Sequence, residues 1–281
     1  YAQESVLAGI KRLELMQTRS GGLAYWPGGT SPYLWGTCYA TGFLMEAKTA
    51  GFEIDEDFLN GLVAYLRKAL RSGEHELNEQ AFICQALAIF GKPEQSRQRY
   101  LLDKAEALDL GGLARLAGAW QASGRPDLAR RCLREEALGK EVARTFKDRL
   151  TSDTAACATM LSVLLYIDWD HPWVEILKDR ILRTKRENGW PSTLDNGLAL
   201  VSLCKLHART ASKESDYSGS LTGTGLQVAS FSSANPFGQS VSGTGTIKLS
   251  SSGKGKIFVS VKTQGLVSPE SLEPIDRGIT A

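Results

Sequence analysis

Two kinds of helical segment alternate along residues 1 to about 210, and this alternation constrains the fold more than any single motif. One kind is rich in Ala, Gly, Cys and Thr and covers 37–50, 77–90, 111–123, 152–167 and 193–207. The other is charged on one side and covers 1–18, 55–71, about 94–106, 126–138 and 171–185. Helices apolar all round belong in an interior, whereas one-sided helices cover it. Segments of the first kind start at 37, 77, 111, 152 and 193, a recurrence the size of one helical hairpin.

The junctions carry matching signals. Asp55 is placed to cap a helix whose stripe is Phe58, Leu62 and Leu66, with Arg67, Lys68 and Arg71 at its negative C-terminal end. Leu77–Phe90 is closed by Gly91 and Pro93, and the 111–138 hairpin turns at Gly124-Arg125-Pro126. Ser152 is placed to cap 152–167, Pro172 sits in the first turn of 171–185, and Gly189 leads into a last helix from Thr193 to His207. Twice, in "TRSGGLAYWPGG" and "TKRENGWPS", a basic helix end is followed by glycine, Trp-Pro and a small-residue helix. Glycine permits the positive φ of a tight reversal. Pro27 and Pro191 stop continuation, and Trp26 and Trp190 are expected to plug the gaps between hairpins. A mainly α fold follows: an α/α toroid of the terpenoid-cyclase type, with small-residue helices inside and charged helices outside. Five interior helices are present where such rings usually carry six, which predicts an incomplete six-hairpin barrel. Helix 1–18 then lacks an inner partner, expected just before Tyr1.

Composition changes after residue 210. Residues 211–216 read as a polar linker, and 217–281 contain strand-like stretches "GLQVASF", "GTIKLS" and "KIFVSVKT", the last alternating Ile257, Val259 and Val261 with Phe258, Ser260 and Lys262. Three strands are too few for an independent domain. They predict part of a β-sandwich into which the toroid is inserted.

At 281 residues the chain has room for a large core. A net charge of +2 excludes a dedicated nucleic-acid surface, and no apolar run is long enough to span a bilayer. Cys38, Cys84, Cys132, Cys157 and Cys204 form no Cys-x-x-Cys motif and read as buried thiols among apolar neighbours. His75, His171 and His207 lie on separate elements with no metal-ligand spacing and read as surface or capping residues. In "DWDHPW", Asp168 and Asp170 read as ending one helix and capping the next. No catalytic, cofactor-binding or metal-binding set emerges. An aromatic cluster, Tyr25, Trp26, Tyr33, Trp35 and Tyr39, is expected at one ring edge, mostly as packing.

The stretches "GGLAYWPGG…SPYLWGTCYATGFLMEAKTAGFEID" and "DHPWVEIL…RENGWPSTLDNGLALVSL", in that order, resemble the thioester-containing domain of bacterial α2-macroglobulins. The tail "GTGTIKLSSSGKGKIFVSVKTQGLVSPE…IDRGIT" is similar to the returning half of that family's CUB-like domain. The resemblance implies a protease inhibitor of the periplasm or cell exterior, not an enzyme, whose partners are trapped proteases and other macroglobulin domains of the same chain. In thioester-bearing members a Cys sulfur is bonded to a Gln carbonyl within Cys-x-Glu-Gln, and a protease lysine attacks that carbonyl. The chain contains no Cys-x-Glu-Gln; "CLREEA" (132–137) lacks the Gln. The family's motif opens the first inner helix, which is the element expected before Tyr1. On this resemblance Tyr25, Trp26, Trp35 and Tyr39 are candidates for an aromatic cover over the thioester edge, shielding it from water. A terpene cyclase or prenyltransferase of the same fold is the alternative. In "TSDTAA" only Asp153-Thr154-Ala155 matches a cyclase acid motif, and Thr151 and Ser152 stand where the acid and its neighbour belong. A helical-repeat scaffold is the third reading; it leaves the Trp-Pro turns and the β tail unexplained.

Overall fold

A computed structural model describes residues 2–144, 150–214, 216–223, 229–233, 235 and 246–254. The chain divides into two compact units, Tyr1–Arg209 and Thr210–Ala281. The first is helical. Its inner helices are α2 (Leu34–Thr49), α4 (Leu77–Ile89), α6 (Leu110–Ala122), α9 (Asp153–Ile167) and α11 (Thr193–Glu214). Around them lie α1 (Ala2–Met16), α3 (Glu56–Ser72), α5 (Gln95–Asp103), the short α7 (Pro126–Arg130) and α8 (Glu135–Leu138), and α10 (Trp173–Arg183). In the ring α2 packs on α4, α4 on α6 and α6 on α9. Leu198, Ala199, Leu203 and Leu206 bring α11 into the same core cluster.

The residue chemistry explains the layering. In α4 and α9 nearly every side chain is buried, Ala81, Cys84, Ala88, Ala158 and Leu161 among them, because each is enclosed on both flanks and behind. Helix α3 instead buries Phe58, Leu62, Leu66 and Leu70, one residue per turn, and exposes its charges. Asp55 accepts a 2.7 Å hydrogen bond from the Phe58 N–H, and Ser152 accepts one of 3.0 Å from the Ala155 N–H, so both expected caps form. Leu87, Leu116, Leu161 and Leu164 are buried at the heart of the main core, and Leu44 in a second core with Ile10, Leu23, Phe58 and Leu62, each leucine contributing about 2–3 kcal/mol of transfer free energy.

Four expectations are corrected. The Trp-Pro turns do not behave alike. Gly21, Gly28 and Gly189 all have positive φ, and Trp190 is 9% exposed with its indole N–H donated to the Ile181 carbonyl at 2.8 Å. Trp26, however, is 64% exposed. The first reversal is a longer loop closed by Ala24–Pro32 pairing, and Leu23, 2% exposed, fills the gap there instead. The segment 126–138 is not one helix. It breaks at 131–134, with Leu128, Cys132 and Leu138 all buried, and is held on either side: Arg130 donates to the Ile167 carbonyl at 2.7 Å, and Glu135 accepts from the Trp173 indole N–H at 2.9 Å. The cap of α10 is not Asp170: the Trp173 N–H donates to His171 Nδ1 at 3.2 Å, while Asp168 ends α9. The last helix runs to Glu214 rather than stopping near His207, so 211–214, read as linker from composition, is helical; no Gly or Pro interrupts it.

The second unit contains, among the described residues, an antiparallel sheet of order β2-β1-β3. Its strands are β1 (Asp216–Gly223), β2 (Ala229–Ser232) and β3 (Ile247–Lys254), with Leu221 opposite Ala229 on one side and Leu249 on the other. Strands were expected in the stretches holding β2 and β3. β1, rich in Ser and Gly, was not expected, and "KIFVSVKT" lies outside the described residues.

Candidate functional site

The aromatic residues singled out in sequence do come together. Tyr25 meets Trp26 edge-on at 5.1 Å and Tyr33 at 5.6 Å. Tyr33 leads to Trp35 at 6.4 Å, and Trp35 stacks on Tyr39 at 4.9 Å. The last pair is one helical turn apart on α2, which places the two rings over one another. Trp35 then reaches inward, edge-on to Phe82 at 5.9 Å. The row therefore runs from exposed rings, Trp26 and Tyr25 (60% exposed), to the axis of the helical ring. Burial raises the Tyr39 hydroxyl above its usual pKa range.

Trp35 also lines a cavity of about 70 Å³. Phe82, Arg115, Ala156 and Leu198 line it too, from the opening turns of α4, α6, α9 and α11. The five inner helices thus present their N-terminal ends to one mouth, which makes them parallel. The Arg115 guanidinium lies 3.8 Å from the centre of the Phe82 ring and donates to Gln85 Oε1 at 3.1 Å. Desolvation lowers its pKa to about 10. Two carboxylates at the mouth serve caps. Asp109 accepts from the Gly112 N–H at 2.7 Å and from Asn78 Nδ2 at 3.0 Å. Glu79 accepts from the Glu76 N–H at 3.1 Å.

The ring has a seam between α2 and α11. Lys205 pairs with Glu46 at 3.3 Å across it. The Tyr39 hydroxyl stands 3.8 Å from where a Cβ on Gly197 would be. Along it Tyr39, Phe43, Leu200 and Val201 are 38–53% exposed, and Cys204 is exposed.

Other residues considered in sequence stay apart. His75, His171 and His207 do not converge, and among the described residues no group of three or more His, Cys, Asp or Glu is placed to hold a metal ion. Asp153 is held by Arg180, whose guanidinium pairs with both carboxylate oxygens and also donates to the Leu138 carbonyl at 2.5 Å and the Lys140 carbonyl at 2.7 Å. Asp153 is thus engaged in holding Arg180 and the 138–140 backbone together. Four of the five cysteines are buried as expected, Cys38, Cys84, Cys132 and Cys157, and burial pushes the Cys84, Cys132 and Cys157 thiols up to about 12; Cys204, also expected to be buried, is instead exposed, on the flank of α11 that carries Leu200 and Val201.

Sequence reasoning missed Arg115 and Asp195. Asp195 is fully buried, accepts from the Ser152 hydroxyl and pairs with Arg144 at 2.6 Å. The available signal was a lone charge inside an otherwise small-residue helix, "GGLARLAGAW" and "TLDNGLAL".

No protein-family model and no curated protein matches the chain. Solved structures do. A native Escherichia coli alpha-2-macroglobulin spanning domain MG7 to the C-terminus aligns with TM-score 0.66 and 17% identity, over 89% of this chain and 39% of that one. Trypsin-activated E. coli alpha-2-macroglobulin gives 0.61 and 18%, over 89% and 17%. Salmonella alpha-2-macroglobulin reacted with methylamine gives 0.66 and 21%, over 82% and 16%. At these identities the likeness is one of fold, and the chain spans well under half the length of these proteins.

Proposed function

We propose that the chain is part of a bacterial α2-macroglobulin-like protease trap. Its helical unit, 1–210, corresponds to the thioester-containing domain, and 217–281, after the segment 211–216, to the returning half of a CUB-like domain. The observation carrying this reading is that the likeness runs over 89% of the chain, at TM-score 0.66, while the sequence motifs resembling the family stand in the same order. The activity is inhibition rather than catalysis. A protease cuts a bait region elsewhere in the protein, the protein rearranges, and the protease is enclosed, covalently where a thioester is present. Proteases and neighbouring macroglobulin domains are the partners, and the periplasm or cell exterior is the location.

The seam supports the same reading. A ring whose members bury both flanks leaves Tyr39, Phe43, Leu200 and Val201 uncovered at one place, an apolar edge over which a further thioester-bearing segment would lie. Trp35 and Tyr39, with Tyr25 and Trp26 beyond them, border that edge and would keep water from an acyl group held there. The cyclase alternative lacks comparable support. Ligand pockets for molecules of that size occupy about 300–1,000 Å³ and are mostly apolar; the ring axis offers about 70 Å³, and the hollow of about 470 Å³ beside Asp153 is lined by Glu141, Arg144, Ser152, Thr154 and Thr184.

The test uses the full-length parent protein. Trypsin incubated with it is expected to keep cleaving a small peptide substrate while losing activity on a large protein. Loss of both activities, or of neither, refutes trapping. Alanine at Tyr25, Trp26, Trp35 or Tyr39 is expected to shorten the hydrolysis half-life of the thioester; unchanged half-lives refute the aromatic cover.

A further inference from the structure

We propose that the axial cavity is a receptor site for one small free carboxylate anion, of the size of formate, acetate or propionate, gripped by Arg115. The argument starts from an uncompensated charge. A guanidinium taken out of water costs several kcal/mol unless an anion or good hydrogen bonds replace its hydration. Arg115 is mostly buried, and among the described residues no carboxylate lies within ion-pairing reach. Its partners are neutral: the Gln85 carbonyl oxygen and the face of Phe82. One hydrogen bond occupies one of five N–H donors.

Geometry turns that deficit into a site. Side chains on a helix slant toward its N-terminus, so Arg115, early in α6, delivers its head group to the mouth where the inner helices begin. The helix ends there add partial positive charge. Two acids, Asp109 and Glu79, also line the mouth, but neither is hydrogen-bonded or ion-paired to Arg115: Asp109 holds the Gly112 N–H and Asn78, and Glu79 the Glu76 N–H. Volume sets the ligand class. About 70 Å³ holds roughly two waters at ~30 Å³ each, enough for a carboxylate with a very short tail. The walls divide accordingly. The planar guanidinium suits bidentate carboxylate recognition, while Trp35, Ala156 and Leu198 offer an apolar side to a methyl group. The site does not depend on the protease-trap reading.

Sodium acetate titrated against sodium chloride at constant ionic strength tests this with the whole chain. Acetate is expected to raise the thermal midpoint saturably, formate and propionate likewise, and sulfate and long-chain carboxylates not at all. Arg115→Gln is expected to weaken the acetate response at least tenfold. Saturation transfer from protein aromatic protons to the acetate methyl group, displaced by propionate, gives a second reading on the unaltered protein should the variant not fold. Absence of that transfer, or an acetate response undiminished in Arg115→Gln, overturns the proposal.

Discussion

Gly21 and Gly28 both have positive φ, +92° and +78°, yet they stand in opposite surroundings. Around Gly28 an added Cβ meets nothing within 4 Å. At Gly21 it would lie 2.8 Å from the Gly61 carbonyl carbon and closer still to its oxygen. That neighbour is backbone of α3 and has no rotamer to yield. Placing an L side chain in left-handed backbone costs about 1–2 kcal/mol, and overpacking a close contact adds about 1–3 kcal/mol. Gly28→Ala should therefore destabilise by about 1–2 kcal/mol, and Gly21→Ala by about 2–5 kcal/mol. The difference matters for the candidate site, because the loop bearing Tyr25, Trp26 and Tyr33 is moored at this point. Gln17 Nε2 donates to the Gly21 carbonyl at 3.0 Å and to the Phe58 carbonyl at 2.9 Å. Urea unfolding followed by helical ellipticity measures both variants against the parent. If the two agree within about 0.5 kcal/mol, the close approach to α3 is not what fixes this loop.

Three further outcomes are expected. Asp195→Asn should cost about 2–4 kcal/mol, somewhat less than the loss of a fully buried pair because Arg144 keeps 31% side-chain exposure, and a urea midpoint within error of the parent would refute the clamp. Trp190→Phe should cost about 1–3 kcal/mol, since it removes a buried indole and leaves the Ile181 carbonyl with only the Thr184 hydroxyl; an equal cost for the exposed Trp26→Phe would contradict the different burial of the two rings. Buried thiols whose pKa is raised from 9.0 to about 12 (Cys84, Cys132, Cys157) give the folded state more protons than the unfolded state in alkali, so stability is fully present below pH 9 and falls between about pH 9 and 12, each thiol contributing a slope of about 1.4 kcal/mol per pH unit. Denaturation midpoints that stay flat from pH 8 to 11 would refute this.

The ring itself was legible because it depends on averages. Two helix compositions in strict alternation dictate which faces are enclosed, and no single residue decides the outcome. Individual fates were less legible. Trp26 and Trp190 stand in the same Trp-Pro context, but six residues of loop (28–33) separate Pro27 from α2 and leave one ring outward, while Asn196, bonded to the Trp190 backbone at both N–H (3.1 Å) and carbonyl (2.8 Å), folds the other in. The 131–134 break has no Gly or Pro to announce it; the groups that hold its two sides, Ile167 and Trp173, lie 37 and 38 residues from their partners Arg130 and Glu135. β1 escaped notice because alternation of Ser and Gly with Tyr217 and Leu221 carries little apolar contrast. The aromatic row was legible as a cluster, since five rings lie within fifteen residues. Its inward terminus, Phe82 and Arg115, was not, because the partners are 47 and 80 residues away from Trp35 and only the ring's closure makes them neighbours.

The seam has a kinetic consequence. Neighbouring helices within the ring are joined by contacts between hairpins adjacent in the chain, and such local contacts form quickly. The Lys205–Glu46 pair spans 159 residues, so closing the circle pays the loop entropy of nearly the whole helical unit at once. With few buried apolar contacts to reward it, this junction forms last on folding and parts first in native-state fluctuations. Amide exchange at the exposed flanks of α2 and α11 should accordingly outrun that of α4 and α6, the circle opening like a clasp while its opposite arc stays shut.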